Sequence, residues 1–153
     1  MCGIYGITEK NPQIIKKIIN KCSYRGPNGS SIYSSEQVTL GHNLLSITSQ
    51  PDKGKQPWKS INENVLVYNG EIFNYNELLI RFRDKFYPKS TCDTELLSWL
   101  LDQYSYEEVI QNIIDSMHSF VFYNKKKNEI VLSRDHAGIK PLFFANIKTG
   151  IIF

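Results

Sequence analysis

The order in which two hydrophobic periods alternate along the chain most limits what it can fold into. Residues 3–8 are a short apolar run, followed by Asn11-Pro12, a capping residue with proline at the first helical position. Behind them Ile14, Ile15, Ile18, Ile19 and Cys22 share one helical face, with Lys16, Lys17, Asn20 and Lys21 opposite, so the spacing predicts an amphipathic helix. Arg25-Gly26-Pro27-Asn28-Gly29 ends it, and residues 30–34 and 37–47 predict two strands around Ser35-Glu36. A long loop over 49–60 carries Pro51, Gly54, Pro57 and the lysines Lys53, Lys55 and Lys59, and a strand follows at 65–68. Asn74 and Glu77 have the spacing of a capping pair ahead of Leu78, Leu79, Phe82 and Phe86. Asp93 opens a third helix bearing Leu96, Leu97, Leu100, Leu101 and Tyr104, and Tyr106, Val109, Ile110, Ile113 and Ile114 predict a fourth. Strands at 119–123 and 129–133 flank Lys125-Lys126-Lys127, and a last pair is expected at 142–145 and 151–153. Helices grouped between groups of hairpin-joined strands predict α+β layering over a parallel doubly wound sheet.

The 153 residues suit one domain spanning 1–153, and 41% hydrophobic residues are enough to close a core. The net charge is only +3 and its one basic run, Lys125 to Lys127, reads as a solvated turn, so nucleic acid is not an expected partner. Cys2, Cys22 and Cys92 are odd in number and form no CxxC pair. None stands at metal-ligand spacing from His42, His118 or His136, which argues against a disulfide scaffold and against zinc. The N-terminus lacks the basic and apolar regions of a signal peptide, and no apolar run approaches the ~18 residues of a membrane span. The expected setting is a reducing cytoplasm, with no membrane partner.

Chemistry is first suggested by Cys2. Removal of the initiator methionine would leave one residue with a thiol and a free α-amine, groups whose ordinary pKa values are ~8.5 and ~7.7–8.0. The amine can then take the thiol's proton, the arrangement of an N-terminal nucleophile; the competing reading is an incidental small residue at position 2. Asn69-Gly70 has two readings as well. It is a common hairpin turn, or the Asn69 amide and the Gly70 N–H form an oxyanion hole; the following Glu71-Ile72-Phe73-Asn74-Tyr75 leads toward a helix and not into a return strand. Asp93 is a helix cap or a ligand contact. Arg25 in the Gly-Pro turn and the pair Arg134-Asp135 read as structural ion pairs or turn anchors, and His42, between apolar strand residues, as a packed, hydrogen-bonded side chain.

Taken together, Met1-Cys2-Gly3-Ile4, Arg25-Gly26-Pro27-Asn28, Gly41-His42 through Leu45-Ser46-Ile47, Asn69 to Tyr75, Cys92-Asp93-Thr94-Glu95 and Arg134 to Leu142 resemble the class II glutamine amidotransferase domain of asparagine synthetases. The resemblance covers essentially the whole chain. It implies a four-layer αββα sandwich of the N-terminal-nucleophile hydrolase type, hydrolysing glutamine to glutamate and ammonia through a thioester on Cys2. It assigns the oxyanion hole to Asn69 and Gly70 and the substrate's α-ammonium to Asp93. The remaining pocket wall would be Glu71 with the backbone around Ile47 and Thr48. No cofactor is implied for this domain. ATP and magnesium belong to the family's synthetase domain, which receives the ammonia for a partner substrate such as aspartate and whose Ser-Gly-Gly pyrophosphate loop does not occur in these residues. The chain is expected to stop within a strand that the family continues.

The sequence departs from the family at one informative place. Leu44 stands where the family has an arginine that clamps the α-carboxylate of glutamine. A charge-assisted hydrogen bond contributes about 1.5–3 kcal/mol, so its loss should weaken glutamine binding roughly ten- to a hundredfold. Lys53 or Lys55 could supply a substitute charge, without the planar fork. Asn28 for aspartate and Ser49 for an acidic residue are smaller departures. Two functions follow: a glutaminase, or an amidotransferase-like domain with a regulatory or interaction role that has lost glutamine binding through Leu44.

Overall fold

The computed structural model describes residues 1–46 and 54–153. Two antiparallel sheets lie face to face between helices. The first has the order β2-β3-β1-β9-β8, from β1 (Gly3–Ile7), β2 (Ser30–Ser34), β3 (Thr39–Asn43), β8 (Ala145–Ile147) and β9 (Gly150–Ile152). The second has the order β4-β5-β6-β7, from β4 (Trp58–Lys59), β5 (Val65–Ile72), β6 (Ser116–Asn124) and β7 (Glu129–Arg134). Helix α1 (Pro12–Lys21) packs on β1, β2 and β3, β1 and β3 face β5, and α3 (Asp93–Gln103) packs on β4 and β5, which makes the four-layer αββα sandwich.

Period-two alternation divides the core among the layers. On β5, Val65 and Val67 enter the space between the sheets with Val121 of β6 and Leu40 of β3, while Leu66 and Tyr68 face the helices with Phe120 and Phe122. Ile15 and Ile19 of α1 meet Ile7 on the outer face of the first sheet. Asn11 caps α1 as expected, its side chain accepting from the Ile14 N–H at 3.2 Å.

Several elements differ from expectation. The strand expected at 65–68 continues to Ile72, because β6 pairs with it without a break from Val65↔Tyr123 to Ile72↔Ser116. Asn69-Gly70 is therefore strand and not a hairpin turn. Asn74 does not cap α2 (Tyr75–Arg81) through its side chain; its amide donates to the Ile113 carbonyl and its oxygen accepts from the Asp115 N–H, tying the start of α2 to the approach to β6. The expected fourth helix is one turn, α4 (Tyr106–Glu108), running into a π turn over Val109–Ile113. Lys59 lies in the short strand β4 instead of a loop. The final hairpin is displaced from 142–145 and 151–153 to β8 and β9, turning at Gly150 with φ 144°.

Candidate active site

Apolar packing between the sheets ends where Cys2, His42, Asn69 and Ser119 begin. Residues 2 and 4 share a face of the first sheet, and residues 65, 67 and 69 share a face of the second, so the pleat that buries Ile4, Val65 and Val67 also turns Cys2 and Asn69 toward one another's sheet. A cavity of about 260 Å³ opens there, lined by Cys2, Leu44, Leu45, Ser46, Tyr68, Asn69, Gly70, Glu71, Cys92, Asp93, Met117 and Lys140 among others.

The Cys2 end is built from backbone. The half-buried Cys2 thiol lies against the Leu45 peptide, Sγ accepting from the Leu45 N–H at 3.4 Å and approaching its carbonyl at 3.7 Å. Arg25 donates from Nη2 to the Cys2 carbonyl at 3.3 Å, so this side chain anchors the N-terminus and forms no ion pair among the described residues. The Arg-Gly-Pro-Asn turn fixes the other wall: Asn28 N–H donates to the Leu44 carbonyl, Leu44 N–H to the Gly29 carbonyl, and the Asn28 side chain accepts from the Ser46 N–H at 3.0 Å. A Cβ on Gly26 would stand 2.5 Å from the Asn43 carbonyl carbon and oxygen, which is why the turn can close on β3 only with glycine.

Gly70 is constrained in the same way. A Cβ there would meet the Met117 carbonyl oxygen at 2.4 Å and the Tyr68 ring at 2.6 Å. Opposite it on β6 is His118, buried and held by Ser116 Oγ at 2.8 Å from Nδ1 and Ser133 Oγ at 3.0 Å from Nε2. Burial pushes the His118 imidazole below its ordinary pKa, with Asp135 acting in the other direction.

The remaining wall is acidic. Asp93 opens α3 at its first helical residue, with Cys92 at the cap position. Its Oδ2 accepts from the Tyr68 hydroxyl at 2.9 Å and the Ile72 N–H at 3.2 Å. Burial raises the Asp93 carboxyl above the usual carboxylate range against the pull of those donors, and Glu71 adds to the rise. Burial and Asp93 together push the Tyr68 phenol far up. The ion pairs among the described residues join Lys10 to Glu36, Lys59 and Lys125 to Glu63, and Arg83 to Asp84, so neither Asp93 nor Glu71 belongs to one. Leu44, 7% exposed, presents an apolar wall to the same cavity.

Asp135 is the turn anchor expected of it, accepting from the N–H groups of His118, Ile139 and Lys140; although burial opposes this, those donors hold it down to about 2. Arg134 does not pair with it and stays exposed. The turn carries Lys140 to the cavity, where Nζ lies 3.6 Å from Met1 Sδ. Lys55 lines a second cavity of about 270 Å³ with His42, Ser30 and Ser31, separated from the first by Leu44 and Gln56, which line both. His42 is packed as expected but not fully hydrogen-bonded: its Nε2 is buried without a protein partner, and burial drives the imidazole down to about 4, the Tyr68 backbone opposing. Ile47, Thr48, Ser49 and Lys53 lie outside the described residues.

Sequence reasoning missed Gln56, Tyr68, Leu45 and Lys140. Gln56 had a signal. The edge strand β4 pairs with β5 only at Val65 and Leu66, leaving the buried Tyr68 N–H in need of an acceptor, and Gln56 Oε1 takes it at 2.6 Å while Nε2 donates to Thr94 Oγ1 at 3.1 Å. No helix among the described residues is long and apolar enough to cross a membrane, and no group of three or more His, Cys, Asp and Glu side chains among them could hold a metal.

A family model described as the glutamine amidotransferase domain matches residues 1–153. The chain is 34% identical to asparagine synthetase [glutamine-hydrolyzing] 2 of Bacillus subtilis, over 100% of this chain and 21% of that protein. It is 32% identical to putative asparagine synthetase [glutamine-hydrolyzing] 2 of Methanocaldococcus jannaschii, over 94% of this chain and 32% of that one, and 28% identical to asparagine synthetase B [glutamine-hydrolyzing] of Escherichia coli, over 100% and 28%. The chain therefore spans about a third or less of these relatives' length. Among solved structures, glutamine phosphoribosylpyrophosphate amidotransferase from B. subtilis, complexed with ADP and GMP, shares the fold with a TM-score of 0.77 at 17% identity, over 99% of this chain and 41% of that one.

Proposed function

The chain belongs to the glutamine amidotransferase domain family, and from that membership we propose that it is a glutaminase whose nucleophile is Cys2, exposed as the N-terminal residue when Met1 is removed. The observation that carries this reading is the convergence of the Cys2 thiol, the Asn69 amide and the Gly70 backbone on one cavity from two different sheets. The α-amine takes the thiol proton. The sulfur, already held by the Leu45 N–H, attacks the carboxamide carbon, and the oxygen that becomes negative is met by the Asn69 side-chain N–H and the Gly70 N–H. The C–N bond breaks as the proton passes to the leaving nitrogen, giving ammonia and a thioester on Cys2, which water hydrolyses to glutamate. Asp93 receives the substrate's α-ammonium, supplying the charge that its buried carboxylate lacks. No cofactor enters these steps. The ammonia would serve a synthetase-type domain or subunit that activates an acceptor, as the relatives' names suggest, in a cytoplasmic setting.

Purified chain whose intact mass shows loss of Met1 should release glutamate from glutamine, and Cys2→Ala should abolish the release. Absence of turnover at saturating glutamine with the processed N-terminus defeats the proposal. Leu44 favours a second reading, a non-catalytic domain of the same fold, because an apolar wall offers the α-carboxylate nothing. Calorimetry at millimolar glutamine separates the two.

A further inference from the structure

The charges around the cavity are unbalanced in a way that bears on which amide it selects. Asp93 and Glu71 both line it, neither has an ion-pair partner among the described residues, and burial, with a small addition from Glu71, raises the Asp93 carboxyl. Leu44 closes another wall with hydrocarbon. The one cationic side chain lining the cavity among the described residues is Lys140, whose Nζ lies 3.6 Å from Met1 Sδ, at the N-terminal end of the cavity. In an α-amino acid the ammonium and carboxylate share a carbon, so bond lengths of about 1.5 Å keep the two groups within roughly 2.5 Å of each other. A substrate that seats its ammonium on Asp93 thus brings its carboxylate close to an acidic side chain, in a cavity that Glu71 also lines. There the carboxylate is desolvated and repelled at once.

We infer that this pocket recognises its substrate by the ammonium and not by the carboxylate, so that ω-amino carboxamides without an α-carboxylate are hydrolysed at least as well as glutamine. The inference rests on the Cys2 reading above and adds the substrate class to it. The simplest member is 4-aminobutanamide, glutamine without its carboxylate. Its hydrolysis consumes one water, breaks the amide C–N bond through the Cys2 thioester, and yields 4-aminobutanoate and ammonia. The opposite truncation, glutaric acid monoamide, keeps the carboxylate and lacks the ammonium, and it meets only repulsion.

Ammonia release from 4-aminobutanamide, L-glutamine and glutaric acid monoamide, measured as kcat/KM on the processed chain, tests this directly. The expected order is 4-aminobutanamide equal to or above glutamine, and both above glutaric acid monoamide by roughly ten- to a hundredfold, the worth of a charge-assisted hydrogen bond to Asp93. Asp93→Asn should close that gap by raising glutaric acid monoamide relative to the two ammonium-bearing amides, a ratio in which any common loss through Tyr68 and Ile72 cancels. A tenfold preference for glutamine over 4-aminobutanamide overturns the inference, as does an Asp93→Asn protein that keeps the original ranking. If none of the three releases ammonia, dissociation constants on Cys2→Ala decide. The same ranking in binding upholds the ammonium selection and rejects the glutaminase reading, whereas tighter binding of glutamine, or no binding at all, rejects the inference.

Discussion

Replacing Gly70 by alanine tests its packing constraint and its proposed oxyanion role together. The added Cβ would lie 2.4 Å from the Met117 carbonyl oxygen and 2.6 Å from the Tyr68 ring, whereas ordinary contact begins at 3.4 Å. The Met117 oxygen is backbone within β6 and cannot swing aside, so β5 and β6 must part locally by most of an ångström. Overpacking of this kind costs about 1–3 kcal/mol. At roughly 2–4 °C per kcal/mol for a domain of this size, Gly70→Ala should lower Tm by about 2–12 °C. The same displacement moves the Gly70 N–H off the oxyanion, and loss of one such donor costs roughly 10²–10³ in kcat. Asn69→Ala is the companion variant, because it deletes the other donor without adding an atom between the strands. It should lose a comparable factor in kcat with a smaller change in Tm. Differential scanning calorimetry and steady-state ammonia release are the assays. A Gly70→Ala protein with unchanged Tm refutes the β5–β6 register, and normal kcat in Asn69→Ala refutes the oxyanion assignment while leaving the fold intact.

Acid should weaken the fold in a defined window. His42 titrates near 6.5 when unfolded and at about 4 when folded. The advantage of its neutral form is therefore complete above pH 6.5 and is lost as pH falls toward 4, by about 3 kcal/mol at 1.36 kcal/mol per unit. Urea midpoints across pH 4–7 should fall for the wild type and flatten for His42→Gln, with a residual slope from His118, which is shifted in the same direction. Equal slopes in the two proteins would exclude His42 as the source. Leu44→Arg should tighten glutamine binding by roughly ten- to a hundredfold, since it puts a guanidinium on a cavity wall that is now hydrocarbon. Calorimetry showing no change removes the carboxylate from that wall.

The fold was legible where periodicity and burial coincide. The isoleucines of α1 and the leucines of α3 stand where their spacing predicts, because each helix packs one face on a single sheet. Legibility failed where pairing overrides local preference. Asn69-Gly70 has the composition of a turn, yet eight successive cross-strand pairs with β6 hold it extended, and the local sequence contains no trace of that distant partner. Asn74 resembles a cap for the same reason: its amide is claimed by Ile113 and Asp115, about forty residues away. In the site, Cys2 stands just before β1 and Asp93 opens α3, where a recognisable residue type marks the position, whereas Asn69 lies inside β5. Leu45 acts through its backbone, which leaves no mark on residue identity, while the Tyr68 hydroxyl and the Gln56 side chain serve partners far along the chain that local sequence does not reveal.

That division explains how a site can keep its reactive half while changing its anchoring half. The Cys2 sulfur is positioned by the Leu45 peptide, whose N–H exists whatever side chain residue 45 bears. The Leu44 backbone is likewise fixed from both sides by Asn28 and Gly29. The side chain of residue 44 is thus free to vary without disturbing the thiol, although it directly precedes the Leu45 N–H that holds the sulfur. Asp93 is not free in this sense, since its carboxylate is also the acceptor for the Tyr68 hydroxyl and the Ile72 N–H, and any loss there reaches β5 and, through it, Asn69 and Gly70. On the proposed assignments, ammonium recognition is wired into the frame of the oxyanion hole, and carboxylate recognition is not. A pocket that drifts in specificity should therefore lose the carboxylate clamp first, as the apolar wall at Leu44 indicates.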